Sequence, residues 1–228
     1  MTLDQDRMND VLFEEWMKVN APFNSEEGMI FTDVKRIIGS DLSLLYQMNK
    51  MIVRGEGQVL DNDLGINFIC HNDICILKTN YGQIELHSDA FRSTIAALVD
   101  IYEDVYPLGS VVELRPEVFK DVLPIDQIDE LFVVITYRYV PYTENSYVQY
   151  VGSIYPVGNL GVIKSDLHFT HKTVKSVLHR GYSDEKELAY LYQVKKSLIV
   201  EDNYHSTGFI TTEDRKQLEK VGNVNIKQ

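Results

Sequence analysis

The stretch LFVVITYRYVPYTENSYVQYVGSIY, from Leu131 to Tyr155, decides the fold. Leu131 to Val140 is a run of β-branched and aromatic residues, which pack well on a pleated surface. Pro141-Tyr142-Thr143-Glu144-Asn145 has the composition of a hairpin turn, and Tyr147 to Tyr155 is its partner strand. Period-two alternation puts Tyr137 and Tyr139 on one face and Arg138 on the other. Gly152, inside an aromatic strand, predicts a bulge or a close backbone approach.

Working outward, Ser110 to Leu114 reads as a strand, followed by an insert from Arg115 to Glu130 that carries Pro116 and Pro124. Beyond the hairpin come a glycine-containing loop, Pro156 to Gly161, and a further strand, Val174 to His179. Ser183 or Asp184 then caps a closing helix with Leu188, Leu191, Tyr192 and Leu198. After His205 the chain is polar, with a weak short helix around Asp214 to Lys220.

The first half has a different period. Met8, Val11, Leu12, Trp16 and Val19 follow helical spacing up to Asn20-Ala21-Pro22. Gly28 to Thr32 reads as short irregular or extended chain. Ser40 or Asp41 caps a helix with Leu45, Met48 and Ile52 on one face, stopped by Gly55-Glu56-Gly57. Leu64, Ile66, Phe68 and Cys70 alternate, Cys75 and Leu77 continue after an Asn72-Asp73 turn, and Gln83 to His87 follows Asn80-Tyr81-Gly82. This is a three-stranded meander. Ser88 or Asp89 caps a helix with Phe91, Ile95, Leu98 and Tyr102. The expected class is α+β: N-terminal helices and a meander packed on a C-terminal β-rich domain closed by a helix. The expected division is 1–106, 107–204 and a polar tail, 205–228.

Lys and Arg total 22 against 34 Asp and Glu, a net charge of −12. Such a chain is repelled by nucleic acid and by anionic lipid, and favours a basic protein partner or simple solubility. Met1 to Arg7 is polar, and no stretch approaches the roughly 20 apolar residues of a membrane span. The expected location is cytoplasmic. Cys70 and Cys75 face each other across the predicted turn. A cross-strand disulfide is geometrically conceivable, but cytosol would keep it reduced, and the pair reads as two small apolar residues on an inner face.

No catalytic constellation emerges. His168 and His171 have a metal-like spacing but no H-E-x-x-H frame. Gly152-Ser153 lacks a nucleophile elbow, and no Walker loop occurs. Glu14-Glu15, Glu26-Glu27 and Glu103-Asp104 read as solvated faces, because neighbouring residues on a helix diverge. No catalytic, cofactor or metal residues are therefore assigned, and no cofactor is expected. The chain has 14 Tyr, and six of them lie in the hairpin: Tyr137, Tyr139, Tyr142, Tyr147, Tyr150 and Tyr155. Tyrosine is enriched at interface hot spots, and cross-strand aromatic pairs also stabilise hairpins; both uses can hold together on opposite faces. These six are the candidate partner-binding residues.

Pro107-Leu108-Gly109-Ser110-Val111-Val112, Tyr150-Val151-Gly152, Tyr155-Pro156, Gly158-Asn159, Phe169 with His171, Val177, Gly181-Tyr182 and Asp184-Glu185 resemble a domain family of unknown function from Gram-positive bacteria. Its members are encoded beside LXG polymorphic toxins and small helical targeting proteins of type VII secretion. The resemblance spans about residues 107–192 and departs from the family in its longer acidic insert and in Val157, where the family has an acid. It implies a cytoplasmic accessory factor or chaperone that binds an LXG-type effector or its helical targeting partners. The alternatives are an immunity protein that neutralises a cognate toxin, and an enzyme with an unrecognised site.

Overall fold

The computed structural model describes residues 4–21, 24–39, 41–119, 123, 129–158 and 166–209. The architecture is α+β and divides into two compact units. The N-terminal unit comprises Asp4–Glu103, Ser197–His205 and, at the end of the described chain, Phe209. The β-rich unit comprises Asp104–Lys196 and Ser206–Gly208.

The N-terminal unit has four helices, α1 (Gln5–Val19), α2 (Ser25–Ile38), α3 (Ser43–Arg54) and α4 (Ser88–Tyr102). Its antiparallel sheet runs β1 (Glu56–Asp61), β2 (Ile66–His71), β3 (Ile74–Thr79), β4 (Gly82–His87) in sequence order. Two sequence expectations are corrected here. Gly28 to Thr32 is helical: Asn24 and Glu27 form a reciprocal capping box that starts α2, and Phe31, Val34 and Ile38 bury one helical face, outweighing the helix-weakening Gly28. The meander has four strands, because Gly55 adopts a left-handed φ of +74° that ends α3, and Glu56 then starts β1 against β2. Helix α4 is the core element, with every residue from Thr94 to Ile101 buried. The inward face of the sheet meets the core through Ile66, Phe68, Cys70, Cys75, Leu77 and Ile84. Each fully buried large side chain contributes about 1.5–3 kcal/mol by desolvation.

The chain after the closing helix returns to this unit. Asn20 Nδ2 donates to the Val200 carbonyl at 2.6 Å, and Trp16 Nε1 donates to Asn203 Oδ1 at 3.1 Å, which satisfies the indole N–H of a fully buried Trp16. Phe209 is buried and stacks on Tyr46 with ring centroids 5.9 Å apart. Residues 197–205 and Phe209 thus fold with the N-terminal unit, a grouping that separation along the chain does not suggest.

In the β-rich unit, β5 (Val111–Leu114), β6 (Leu131–Thr143), β7 (Ser146–Ile154), β8 (Asp166–Phe169), β9 (Val174–His179) and α5 (Glu185–Lys195) follow in order, and the short β10 (His205–Ser206) contributes Ser206. The sheet order is β10-β7-β6-β5-β9, with β8 also paired to β7. Strand β8 was not expected as a separate element. The insert begins with a 3₁₀ turn, Pro116–Phe119, that buries Phe119. Pro124, the loop from Asn159 to Gly161 and the predicted helix around Asp214 to Lys220 lie outside the described residues. Asp184 caps α5 by accepting from the Lys186 and Glu187 amides, and a π-helical stretch, Lys196–Glu201, continues it.

Candidate protein-binding surface

The β6–β7 hairpin forms, but its faces differ from strict alternation. Leu131, Val133 and Ile135 point inward. Thr136 is then an extra residue, since Ile135 pairs with Gly152 and Tyr137 with Val151. A bulge of this kind flips the face presented by every following side chain. Tyr137 therefore turns outward, 62% exposed, and Arg138 turns inward, 8% exposed. Tyr139 takes a left-handed φ of +53° and is buried as well. The expected pairing of Tyr137 with Tyr139 on one face is corrected by these two irregularities.

The six hairpin tyrosines divide equally. Tyr139, Tyr147 and Tyr150 are core residues; Tyr137, Tyr142 and Tyr155 are exposed. Tyr139 and Tyr147 pack against each other at 5.3 Å between ring centroids. The Tyr150 hydroxyl accepts the backbone N–H of Tyr106, and the ring of Tyr150 stacks between Tyr106 and Phe169. The exposed three do not form one patch. Tyr142 lies by the turn and Tyr155 at the opposite end of the hairpin, where its amide bonds to the Phe132 carbonyl. At about 3.3 Å per residue, Tyr137 and Tyr142 stand roughly 16 Å apart along β6.

A different set gathers around Arg138, on the face of β6 opposite Tyr137. Arg138 donates twice to Glu187 in the first turn of α5, with Nη2–Oε2 at 3.0 Å, and the Tyr190 ring covers its guanidinium at 5.3 Å. This fork fastens the start of α5 to the bulge of β6. At the start of β5, the Gly109 amide bonds to the Ile135 carbonyl and the Gly181 amide to Ser110 Oγ. The Gly181 Cα approaches so closely that an added Cβ would lie 2.1 Å from the Leu108 carbonyl oxygen. Three elements therefore meet here, and they expose Leu108 (50%), Tyr182 (81%) and Tyr190 (45%). Sequence reading missed Leu108, Tyr182 and Tyr190 because each is isolated in the chain. Gly181, which spaces Tyr182 from Leu108, was the available signal.

His171 Nε2 lies 3.1 Å from the Tyr106 hydroxyl and its ring stacks on Tyr106, while His168 is exposed on β8. Among the described residues, no three His, Cys, Asp or Glu are grouped to hold a metal. Glu103 and Asp104 are not a solvated pair: Glu103 is buried and accepts from the Tyr46 hydroxyl, and Asp104 forks to Arg180 at 2.6 and 2.8 Å. In the N-terminal unit a cavity of about 500 Å³ lies among α1, α2 and α4, walled by Phe13, Met17 and Tyr102. Burial pushes the Asp10 carboxyl there up, but hydrogen bonds from Lys35 and Tyr102 outweigh it and hold the carboxyl below its ordinary range. Asp10, Lys35 and Tyr102 thus satisfy one another, at 2.5 Å for Lys35 and 2.9 Å for Tyr102. No described helix is long and apolar enough to cross a membrane.

Residues 105–190, just over a third of the chain, match the family model of a Domain of unknown function (DUF4176). The match contains Leu108, Tyr137 and Tyr182 and ends at Tyr190. No curated protein and no solved structure matches the chain.

Proposed function

We propose that this chain is a non-enzymatic, protein-binding accessory factor that docks its partner through the exposed side chains of Leu108, Tyr182 and Tyr190. The observation that supports it most is the exposure of these large side chains on elements of the matched domain that specific contacts hold in place. A rigid aromatic side chain binds with little entropy loss, because two torsions describe it.

The type VII resemblance supplies the partner class: an LXG-type effector, or the small helical proteins that target it, held in the cytoplasm before export. The net charge of −12 favours a second reading, an immunity protein steered onto a basic toxin domain. Co-expression with separate fragments of the neighbouring effector distinguishes the two. The accessory reading expects co-purification with the N-terminal LXG region, abolished by Leu108→Ser with Tyr182→Ser. Retention of only the C-terminal toxin domain, with protection of cells, overturns it in favour of immunity. Binding that survives the double substitution removes this surface from either reading.

A further inference from the structure

Cys70 and Cys75 are partners in the β2–β3 register, and His71 and Ile74 flank the Asn72-Asp73 turn between them. In a hairpin closed by a two-residue turn, the pair beside the turn exchanges hydrogen bonds and the next pair does not. That next pair has its Cα atoms about 4.5 Å apart, within the roughly 4.4–6.8 Å that a disulfide spans. Cys70 and Cys75 occupy it, and their side chains point to the same inner face, with Sγ atoms 2.8 Å apart. Asn72 takes the left-handed φ of +53° that fixes this turn and so the register. Both cysteines are free and buried, at 2% and 0% exposure.

We infer that Cys70 and Cys75 are a site of cross-strand disulfide formation, oxidised by a small-molecule disulfide of the glutathione type while the hairpin is open and sealed once the sheet closes. The balance is simple. One cysteine thiolate attacks a sulfur of the oxidant, forming a mixed disulfide and releasing one reduced thiol. The second cysteine, as thiolate, attacks the protein-side sulfur, forming the Cys70–Cys75 bond and releasing the second thiol. Two protein thiols are oxidised, one disulfide is reduced, and their two protons end on the released thiols. Burial pushes the Cys75 thiol well above the ordinary range, and the adjacent Cys70 adds to this, while exposures of 2% and 0% close both residues off from an oxidant. The folded dithiol should therefore be inert, and the folded disulfide equally protected from reductants. The redox state then records the compartment in which the chain folded.

The test uses the full chain, unfolded in urea and refolded in a buffer with an excess of oxidised over reduced glutathione. Samples are quenched in acid, alkylated with N-ethylmaleimide in denaturant and weighed intact. The expected product is lighter than the reduced chain by two hydrogens and carries no maleimide, with the loss on the tryptic peptide that contains both cysteines. The folded, reduced chain in the same buffer should oxidise at least about tenfold more slowly, because exchange needs local opening. Cys70→Ser and Cys75→Ser should each give only a glutathione adduct. Two maleimide or two glutathione adducts on the refolded chain would overturn the site. Equal rates for folded and unfolded chain would overturn the gating by burial.

Discussion

The fork between Arg138 and Glu187 offers the most searching test of the β-rich unit. The Arg138 side chain is only 3% exposed and that of Glu187 16%, so neither charge is fully solvated. Apart from Glu187, the guanidinium has a marginal contact to the Tyr106 carbonyl at 3.5 Å and the face of Tyr190. Glu187→Leu therefore strands a buried cation. Stranding a fully buried charge costs about 3–5 kcal/mol, and the partial access of water at Glu187 puts this case at the lower end, about 3 kcal/mol. Arg138→Met should cost less, since the carboxylate left behind can rotate into solvent. Arg138→Met with Glu187→Leu removes both desolvation penalties and should lie within about 1 kcal/mol of the parent. Urea unfolding followed by circular dichroism, with the slope m checked for constancy, reads all four proteins. The coupling energy should be at least about 2 kcal/mol. A Glu187→Leu cost below about 1 kcal/mol, or a double variant no better than that single, would refute the claim that the fork is desolvated and fastens α5.

Gly181→Ala should destabilise by about 2 kcal/mol or more, visible as a lowered thermal midpoint, because its Cβ meets the Leu108 carbonyl rather than a movable side chain. Tyr147→Ala and Tyr150→Ala should each cost about 3–5 kcal/mol in urea unfolding, whereas Tyr137→Ala and Tyr182→Ala should stay within about 0.5 kcal/mol of the parent. The folded Asp10 pKa lies below its unfolded value, so its contribution is present above the unfolded pKa and lost as pH falls through the folded one. Asp10→Asn should therefore flatten the acid limb of the stability profile below about pH 4, and an unchanged limb would show that Lys35 and Tyr102 do not stabilise the carboxylate. Asp184→Ala should cost about 1 kcal/mol by removing the cap that accepts from the Lys186 and Glu187 amides, measured by the same unfolding.

Much of the local structure was legible. The Asn72-Asp73 turn, the Asp184 cap and the β-branched run from Leu131 each follow from side-chain chemistry within a few residues. Gly152 also reads correctly: an added Cβ would lie 2.5 Å from the Val134 carbonyl oxygen, a close backbone approach. The failures have local causes of a different kind. Gly28 suggested a break, but three buried side chains on α2 outweighed the propensity of one residue. Thr136 carries no mark of a bulge, because the bulge is set by the partner strand, and it alone decides whether Tyr137 or Arg138 faces solvent.

By itself, the sequence determined the α+β class, the Asn72-Asp73 turn, the Asp184 cap, the net negative charge and the cysteine register, since these depend on periodicity, composition or contacts between near neighbours. Only the tertiary structure decided which tyrosines are core, which distant residues share the exposed surface, and that residues after α5 fold back with Trp16 and Asn20. Those outcomes depend on pairings between residues far apart in the chain, where a one-residue shift in register exchanges buried for exposed and no local signal records the choice.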